Sequence, residues 1–205
     1  MKRKIYKILN YLKITSIYKR LFKNNFIAAF KFYFYNTFIS NVPSYKIRHV
    51  YLKKTLKIQL GKSTSIGMGC FFAGNQIIIG NNTVVNRKCY FDGRVAKIEI
   101  GNNVSISSGT NIITMSHDVK SQSFEAFNSE VKIEDFVWTG FNSIILPGVV
   151  LKEGCVLGAG SIATKSLDEY SVNVGCPAKK IGDRNHNLNY TLNYFPYFNS
   201  DICKN

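Results

Sequence analysis

Aliphatic residues recur every six positions through the middle of the chain, and this spacing constrains the fold more than any other feature. Each six-residue unit begins with a large apolar side chain, and glycine often follows it. The unit starts fall at Leu60, Ile66, Phe72, Ile79, Val85, Phe91, Ile100, Ile106, Ile112, Ile133, Thr139, Ile145, Leu151, Leu157 and Ala163. Thirteen of these fifteen residues are Leu, Ile, Val or Phe, which indicates a repeat architecture.

The fourth residue after each start is usually small or β-branched. These residues are Thr64, Cys70, Thr83, Cys89, Val104, Thr110, Ser116, Val137, Ser143, Val149, Cys155 and Ser161. In a triangular coil of three units, the start residue points inward and excludes water. A second inward position must be small because three faces converge there. Gly80-Asn81-Asn82 and Gly101-Asn102-Asn103 supply corners that accept a left-handed backbone.

The repeat therefore predicts an all-β fold, a left-handed parallel β-helix of about five coils. A β-sandwich would share the strand alternation, but it does not explain the small residue at the fourth position. The β-helical domain is expected at 58–184, preceded by an arm at 1–57 and followed by a tail at 185–205. The tail does not match the repeat and is interpreted as a docking segment against the arm or against another subunit.

Two insertions interrupt the repeat. The shorter one covers Arg94 to Glu99, and the longer one is a fifteen-residue excursion over 118–132. A connection of that length in a compact domain is usually functional or disordered. Because a regular coil immediately precedes the excursion, we expect it to be an extruded active-site loop.

The arm at 1–57 is basic and aromatic. The formal net charge of the chain is +15, and fourteen Lys or Arg residues lie between Lys2 and Lys57. One or two amphipathic helices are predicted by apolar residues at Ile5, Ile8, Leu9, Leu12, Ile14, Ile17, Tyr18 and Leu21. Such helices lie on an anionic membrane surface or cap the open end of the prism, and the two roles are compatible. Because the charge lies outside the repeat, we expect an anionic lipid or glycan partner, and no nucleic acid.

The cysteines indicate a reducing compartment. There are five, an odd number with no C-x-x-C pair, so a disulfide framework is not indicated. Three of them, Cys70, Cys89 and Cys155, occupy small inward positions of the repeat.

The sequence contains no run of about 18 uncharged apolar residues, so a membrane-spanning helix is not expected. We expect a cytoplasmic protein, with peripheral contact at the inner face of the membrane as a role for the arm.

The second half of the repeat carries motifs of a known family. They are Val137-Trp138-Thr139-Gly140, Ile145-Leu146-Pro147-Gly148-Val149, Leu157-Gly158-Ala159-Gly160-Ser161, Ala163-Thr164-Lys165 and Gly175-Cys176-Pro177-Ala178-Lys179. Residues 58–184 thereby resemble the hexapeptide-repeat O-acetyltransferases, which include galactoside, maltose and streptogramin acetyltransferases and enzymes that acetylate capsular or lipopolysaccharide sugars. The resemblance is close over 133–181 and looser before residue 100. It implies acyl transfer from acetyl-CoA, without a metal, by a homotrimer with active sites between adjacent prisms.

His117 is the candidate general base. It lies at the end of a coil just before the extruded loop, where the family places its catalytic histidine. A sugar hydroxyl is a poor nucleophile, and an imidazole with a pKa near about 6.5 removes its proton as it attacks a thioester. His49 and His186 lie in the arm and the tail, away from any junction of coil and loop. The second ring nitrogen has Asp118, Glu125 or a backbone carbonyl as its candidate partner.

The resemblance also implies contacts with the acceptor. Asn86 matches an asparagine that holds the acceptor hydroxyl in related enzymes, and Asp92 lies in the same pattern. Asn and Asp also favour turns, so the alternative is that both residues only form corners of the coil.

For the donor, Trp138 is expected to point outward beside the pantetheine channel, with packing between subunits as its other role. Further donor contacts are expected from Gly140, Gly158, Ala159, Thr164, Lys165, Lys179 and Lys180. The alternative for Lys179 and Lys180 is that they form a solvated basic surface without a donor contact. Phe141 departs from the family, where this position is often a small polar residue, so contacts there are expected to differ.

The preferred function is acetyl-CoA-dependent O-acetylation of a sugar hydroxyl, in a capsular polysaccharide or another surface polysaccharide. The alternatives are acetylation of a small molecule such as an antibiotic or a simple sugar, and N-acetylation of an amino sugar. A non-catalytic β-helix scaffold is the alternative from a different class.

Overall fold

A computed structural model describes residues 25–200 as a parallel β-helix with a helical segment at its N-terminal end. The helical segment consists of α1 at residues 25–37, a 3-10 turn at Ile39–Asn41, α2 at Tyr45–Val50 and a π-helical turn at Tyr51–Thr55. The amphipathic helices predicted over Ile5 to Leu21 lie outside the described residues. Among the described helices, none is long and apolar enough to cross a membrane.

Three parallel sheets, named faces A, B and C, form the sides of the prism. Face A contains β1 (Gln59–Leu60), β4 (Ile77–Ile79), β7 (Ile98–Ile100), β12 (Val131–Ile133) and β15 (Val150–Leu151). Face B contains β2 (Ser65–Ile66), β5 (Val84–Val85), β8 (Ser105–Ile106), β13 (Trp138–Thr139) and β16 (Val156–Leu157). Face C contains β3 (Phe71–Gly74), β6 (Tyr90–Gly93), β9 (Asn111–Ile112), β14 (Ile144–Ile145) and β17 (Ile162–Ala163).

Two antiparallel hairpins are attached to this prism. The first pairs β10 (Met115–His117) with β11 (Ala126–Asn128) and projects from the end of face C. The second pairs β18 (Ser171–Gly175) with β19 (Ala178–Asp183) and continues face B beyond β16. The predicted β-helix is confirmed, with five complete coils and a partial sixth that begins where Leu167 bridges to Leu151. The extruded segment starts and ends earlier than predicted, because Val131 and Lys132 already belong to face A.

The residues that start each six-residue unit form the core. Leu60 is half-buried, and the other fourteen unit starts are buried. The small residues four positions later are buried as well, including Cys70, Cys89 and Cys155. Ser116 is the exception, and its predicted inward position is wrong: it lies exposed in β10, because the chain has already left the prism for the hairpin. The left-handed corners are confirmed, with φ of 53° at both Asn82 and Asn103.

The helical segment closes the open end of the first coil. Tyr35, Leu52 and Leu56 are buried, and the Tyr35 ring meets Phe72 edge-on with 5.7 Å between ring centroids. Arg48 is fully buried, and its guanidinium donates to the carbonyls of Val42 and Ile66, the latter at 2.8 Å. The described part of the arm is therefore a cap on the hydrophobic core, which is a general requirement of repeat folds.

The tail runs back along the corner between faces A and B, from the last coil to the cap. Arg184 donates to the carbonyl of Phe136 at 2.8 Å, and the backbone N–H of Leu192 donates to Asn103 Oδ1 at 3.2 Å. At its far end, the Phe195 ring meets the Tyr45 ring of α2 edge-on at 5.2 Å. Of the two docking surfaces considered for the tail, the arm is the one that it contacts within this chain.

The cap also contains a histidine whose protonation opposes folding. His49 Nε2 accepts the backbone N–H of Ile66 at 3.3 Å, and burial, helped by Arg48 and Lys53, lowers the His49 pKa from 6.5 to about 4. As the pH falls from about 6.5 to about 4, His49 binds a proton in the unfolded chain but not in the folded chain, so the free energy of unfolding decreases.

We expect this histidine to cost about 2 kcal/mol of unfolding free energy across that pH range, after allowance for its partial exposure. In His49→Gln, an amide oxygen can accept the same N–H without titrating. Denaturant unfolding at several pH values should therefore give a shallower pH dependence for the variant. Parallel profiles for the two proteins would show that His49 is not the titrating group.

Candidate active site

His117 lies in β10, where the hairpin leaves face C, and its imidazole is oriented by the hairpin itself. Its Nδ1 lies 3.0 Å from the carbonyl oxygen of Phe124. Because a carbonyl can only accept, Nδ1 carries the proton and the Nε2 lone pair is left for chemistry. The Phe124 ring stacks on the imidazole with 3.8 Å between centroids and 13° between planes.

A backbone carbonyl is therefore the partner of the second ring nitrogen. The two carboxylates considered for this role have other contacts. Asp118 Oδ1 accepts the backbone N–H of Lys120 at 2.9 Å, and Glu125 Oε1 accepts the Ser123 hydroxyl at 2.9 Å. Phe124 has a φ of 53°, which is uncommon for a large side chain and places its carbonyl at the hairpin tip. No sequence signal marked this residue, because every residue carries a carbonyl.

Several of the expected donor contacts lie together at the corner between faces B and C. Trp138 lies in β13 and is 47% exposed, which confirms that it points outward. Its Nε1 donates to the Ser107 hydroxyl, one coil below, at 3.3 Å. Gly140 follows β13 at the corner, and Gly158 and Ala159 occupy the same corner one coil above.

Close packing between neighbouring coils also affects Gly140 and Gly158, independently of any ligand. A Cβ added to Gly140 would lie 2.3 Å from the backbone N of Ala159, and one added to Gly158 would lie 2.6 Å from Val174 Cγ1. The contact at Gly140 is with backbone, so stacking of the coils requires glycine there whether or not a ligand binds, whereas the close contact at Gly158 is with a side chain only. Phe141, the residue that departs from the family, is 56% exposed at the same corner.

The two expected acceptor contacts are at opposite ends of face C. Asn86 lies at the corner between faces B and C, and its side-chain amide donates to the Ile106 carbonyl at 3.0 Å. Asp92 lies at the far end of β6, is 2% exposed, and forms a two-point ion pair with Arg94 at 2.8 and 3.1 Å. Within one chain, therefore, Asp92 lies on the same side of face C as the hairpin and apart from Asn86.

Thr164 and Lys165 follow β17 at the corner between faces C and A, and both are exposed. This is the corner from which the His117 hairpin projects two coils below. The expected site residues thus form two groups, one at each end of face C. A strand rises about 3.3 Å per residue, so the four residues of β6 alone hold the groups at least about 10 Å apart.

Lys179 and Lys180 point to opposite sides of the second hairpin. Trp138 is in register with Val156 and Val172, so these side chains share the outer surface of face B. Val174 shares that side by alternation, and Lys179 pairs with Val174. Lys179 therefore lies on the Trp138 side, whereas Lys180 lies on the other side and forms an ion pair with Asp183 at 2.6 Å.

A groove lies on face B below Trp138, in the first three coils. One wall is the corner with Asn86, Arg87 and Ser108, and the other is formed by Tyr45 of the cap with Tyr194 and Pro196 of the tail. The outer side chains of Ser65 and Val84 line its floor. Sequence reasoning missed Arg87 and Tyr194, because the tail has no repeat pattern from which its path along the prism follows.

The sequence and the fold of the chain are similar to those of known acyltransferases. The chain is 30% identical over 148 residues, 58% of this chain and 77% of the relative, to dTDP-4-amino-4,6-dideoxy-D-glucose acyltransferase of Escherichia coli. The structure of a maltose O-acetyltransferase from Clostridium difficile 630 superimposes with a TM-score of 0.69 at 30% identity, covering 78% of this chain and 85% of that one. No family model matches the chain.

A galactoside acetyltransferase solved in complex with coenzyme A also shares the fold. Its TM-score is 0.66 at 26% identity, and the match covers 77% of this chain and 79% of that one. The match to two other curated acetyltransferases is partial, and this chain spans only 55% and 64% of their lengths.

Proposed function

Because this chain belongs to the hexapeptide-repeat acyltransferase family, we propose that it transfers an acetyl group from acetyl-CoA to a sugar hydroxyl, with His117 as the general base. The observation that carries the proposal is the His117 ring, whose Nδ1–H is bound to the Phe124 carbonyl and whose Nε2 is left to accept a proton. Coenzyme A in the related galactoside acetyltransferase supports the choice of donor.

In the proposed reaction, Nε2 of His117 removes the hydroxyl proton as the acceptor oxygen attacks the thioester carbonyl. The tetrahedral intermediate collapses with cleavage of the carbon–sulfur bond, and the imidazolium returns its proton to the departing sulfur. The Phe124 carbonyl keeps Nδ1 protonated throughout, so that the ring presents the same nitrogen to each acceptor.

We also propose a homotrimer with face C of each prism towards the threefold axis. The outer positions of face C are half-buried or exposed and largely apolar: Phe71, Tyr90, Asn111, Ile144 and Ile162. Phe71 is 43% exposed, and its ring stacks on Tyr90 at 5.4 Å. A second and third copy would remove this surface from water. Rotation about the axis brings the corner with His117 of one copy beside the corner with Trp138 and Asn86 of the next.

That assembly unites the two groups of site residues. Rotation preserves height along the prism, so His117, which follows the third coil, lies level with the boundary between Asn86 below and Trp138 above. We assign the acceptor to the lower part with Asn86, and Asp92 to the hairpin side of the same cleft. The donor occupies the upper part, with Trp138, Gly140, Gly158, Ala159 and Lys179 from one copy and Thr164 and Lys165 from the other.

The two lysines of β19 provide an internal comparison for the donor site. Lys179→Ala is expected to raise the KM for acetyl-CoA about 3- to 10-fold, because the Lys179 ammonium lies on the Trp138 side of the sheet and is available to a donor phosphate. Lys180→Ala is expected to change that KM less than about twofold, since Lys180 is paired with Asp183. Steady-state kinetics at fixed acceptor concentration measure both, and a KM that Lys179→Ala leaves unchanged would remove Lys179 from the donor site.

For the acceptor, we propose a capsular polysaccharide or another surface polysaccharide, or its membrane-held precursor. The basic cap and arm favour anionic material, and contact with anionic lipid at the inner face of the membrane would bring the protein to such a precursor. Free thiols at Cys70, Cys89, Cys155 and Cys176 fit a reducing cytoplasm. Release of coenzyme A thiol should be measured with polysaccharides, oligosaccharides and simple sugars. Turnover confined to small acceptors would contradict the polysaccharide assignment.

N-acylation of an amino sugar is the second candidate. The observation that favours it is the 30% identity to an acyltransferase named for a dTDP-linked 4-amino sugar. A positioned imidazole serves an amine as well as a hydroxyl, so the geometry of His117 suits both. Mass spectrometry of the product after mild alkali distinguishes them, because an ester is cleaved and an amide is retained.

A further inference from the structure

We propose that the groove on face B recognises an anionic group on the acceptor sugar, with Arg87 binding the anion and Tyr194 packing against the sugar ring. The inference rests on the proposed function and specifies its acceptor. The groove is formed by Arg87 and Asn86 on one wall and by Tyr194 and Tyr45 on the other. One wall therefore comes from the repeat, and the other comes from the cap and tail.

The tail wall is held in place by contacts along the prism. Leu192, two residues before Tyr194, donates its backbone N–H to Asn103 Oδ1 at 3.2 Å, and its carbonyl accepts from Asn82 Nδ2 at 3.4 Å. On the other side of Tyr194, Phe195 packs edge-on against Tyr45 at 5.2 Å. Contacts on both sides give Tyr194 a defined place, although its own side chain is 39% exposed at the groove. A tyrosine ring offers a flat apolar surface with a polar tip, which suits the mixed surface of a sugar.

Arg87 supplies a positive charge without a compensating carboxylate. Its side chain is exposed, and within residues 25–200 it takes part in no ion pair. The groove is lined by no acidic residue, and the first acidic residue of the chain is Asp92. A guanidinium offers a planar fork of donors that matches a carboxylate or a phosphate in two-point geometry. The unpaired charge in a concave, acid-free groove therefore favours an anionic acceptor over a neutral one.

The floor of the groove is largely closed, since Ser65 and Val84 are only 2% and 4% exposed. The ring that carries the anion would therefore lie at the mouth of the groove, against Tyr194. Asn86 lies beside Arg87 in the chain and lines the same groove. An anion held by Arg87 would therefore place a neighbouring hydroxyl near Asn86, at the edge that faces His117 of the next copy in the proposed trimer.

Equilibrium binding tests this inference without requiring turnover. Dissociation constants for methyl β-D-glucuronide, α-D-glucose 1-phosphate and methyl β-D-glucoside are measured by ligand-observed NMR on the full chain. The wild type should bind at least one anionic probe about tenfold more tightly than the neutral glucoside. A preference for the glucuronide indicates a uronic acid, and a preference for the phosphate indicates a phosphorylated sugar.

Arg87→Gln should remove the preference, and Lys88→Gln should retain it. The second variant removes the same charge from the adjacent exposed residue, which does not line the groove. Tyr194→Ala should weaken all three probes by a similar factor, whereas Tyr197→Ala, at a tail residue that is 87% exposed, should not.

Equal affinity of the wild type for the three probes, or no binding of any, would overturn the inference. An anion preference that survives in Arg87→Gln would also overturn it. These outcomes are separable from failure of the proposed function, which would appear as absent acetyl transfer from acetyl-CoA whatever the sugars bind.

Discussion

Replacement of His117 by alanine is expected to lower kcat for acetyl transfer by about 10²- to 10⁴-fold, the usual contribution of a positioned general base. The KM values for donor and acceptor should change little, because the imidazole stabilises the transition state for proton transfer and contributes little to binding of the substrates. The fold should survive, since His117 is only half-buried and lies in a hairpin outside the prism. Initial rates of thiol release, measured beside a denaturant unfolding curve, report both quantities.

The matched control is His186→Ala. His186 is an exposed histidine that stacks on Tyr170 with 4.4 Å between ring centroids, far from the hairpin in sequence. This change should leave kcat within about twofold of the wild type. If His117→Ala kept near wild-type turnover, another base would have to be sought, and the enzyme assignment would lose the observation on which it rests.

The second large effect is recovery of activity when two inactive variants are assembled together. One variant carries His117→Ala, at the corner between faces C and A. The other carries Asn86→Ala and Trp138→Ala, at the corner between faces B and C, and is expected to lose about 10²-fold in kcat/KM. If each site takes one corner from each of two copies, mixed assemblies contain some sites with both corners intact. Random mixing of equal amounts should restore about one quarter of the wild-type rate.

Co-expression with two different affinity tags isolates the mixed assemblies for assay. Each mixed trimer has one of its three sites with both corners intact, so the isolated assemblies should show about one third of the wild-type rate. Mixtures that never exchange subunits serve as the control, and they should show only the sum of the two residual rates. Isolated mixed assemblies without recovery would mean that each site is contained within one chain. That result would contradict the proposed arrangement around face C while leaving the role of His117 intact.

The β-helix was predictable because its cause is repeated fifteen times in the sequence. The start residues are buried whether they are Ile, Val, Phe or the atypical Thr139 and Ala163, since position in the coil decides burial more than residue type does. The pattern failed at Ser116, which has the right size at the right spacing but lies beyond the point where the chain leaves the prism. The six-residue spacing predicts a regular coil, but it does not show at which residue the chain leaves the prism.

The active site was predictable only in part. His117 and Trp138 carry distinctive side chains at distinctive places, so the sequence identified them. Their partners did not stand out, because the carbonyl of Phe124 and the path of the tail follow from backbone geometry. The separation of Asn86 from Asp92 also escaped notice, since residues six apart appear close in sequence yet lie at the two ends of one face.

The tail has a consequence for how the prism unfolds. In a solenoid each coil touches only its neighbours, so the ends fray independently and stability behaves as a chain of local equilibria. Here Arg184 is bound beside the fourth and fifth coils, Leu192 beside the second and third, and Phe195 against the cap. Opening either end therefore disturbs contacts at the other, and amide exchange along the prism should occur as one cooperative unit and not as a gradient from the termini.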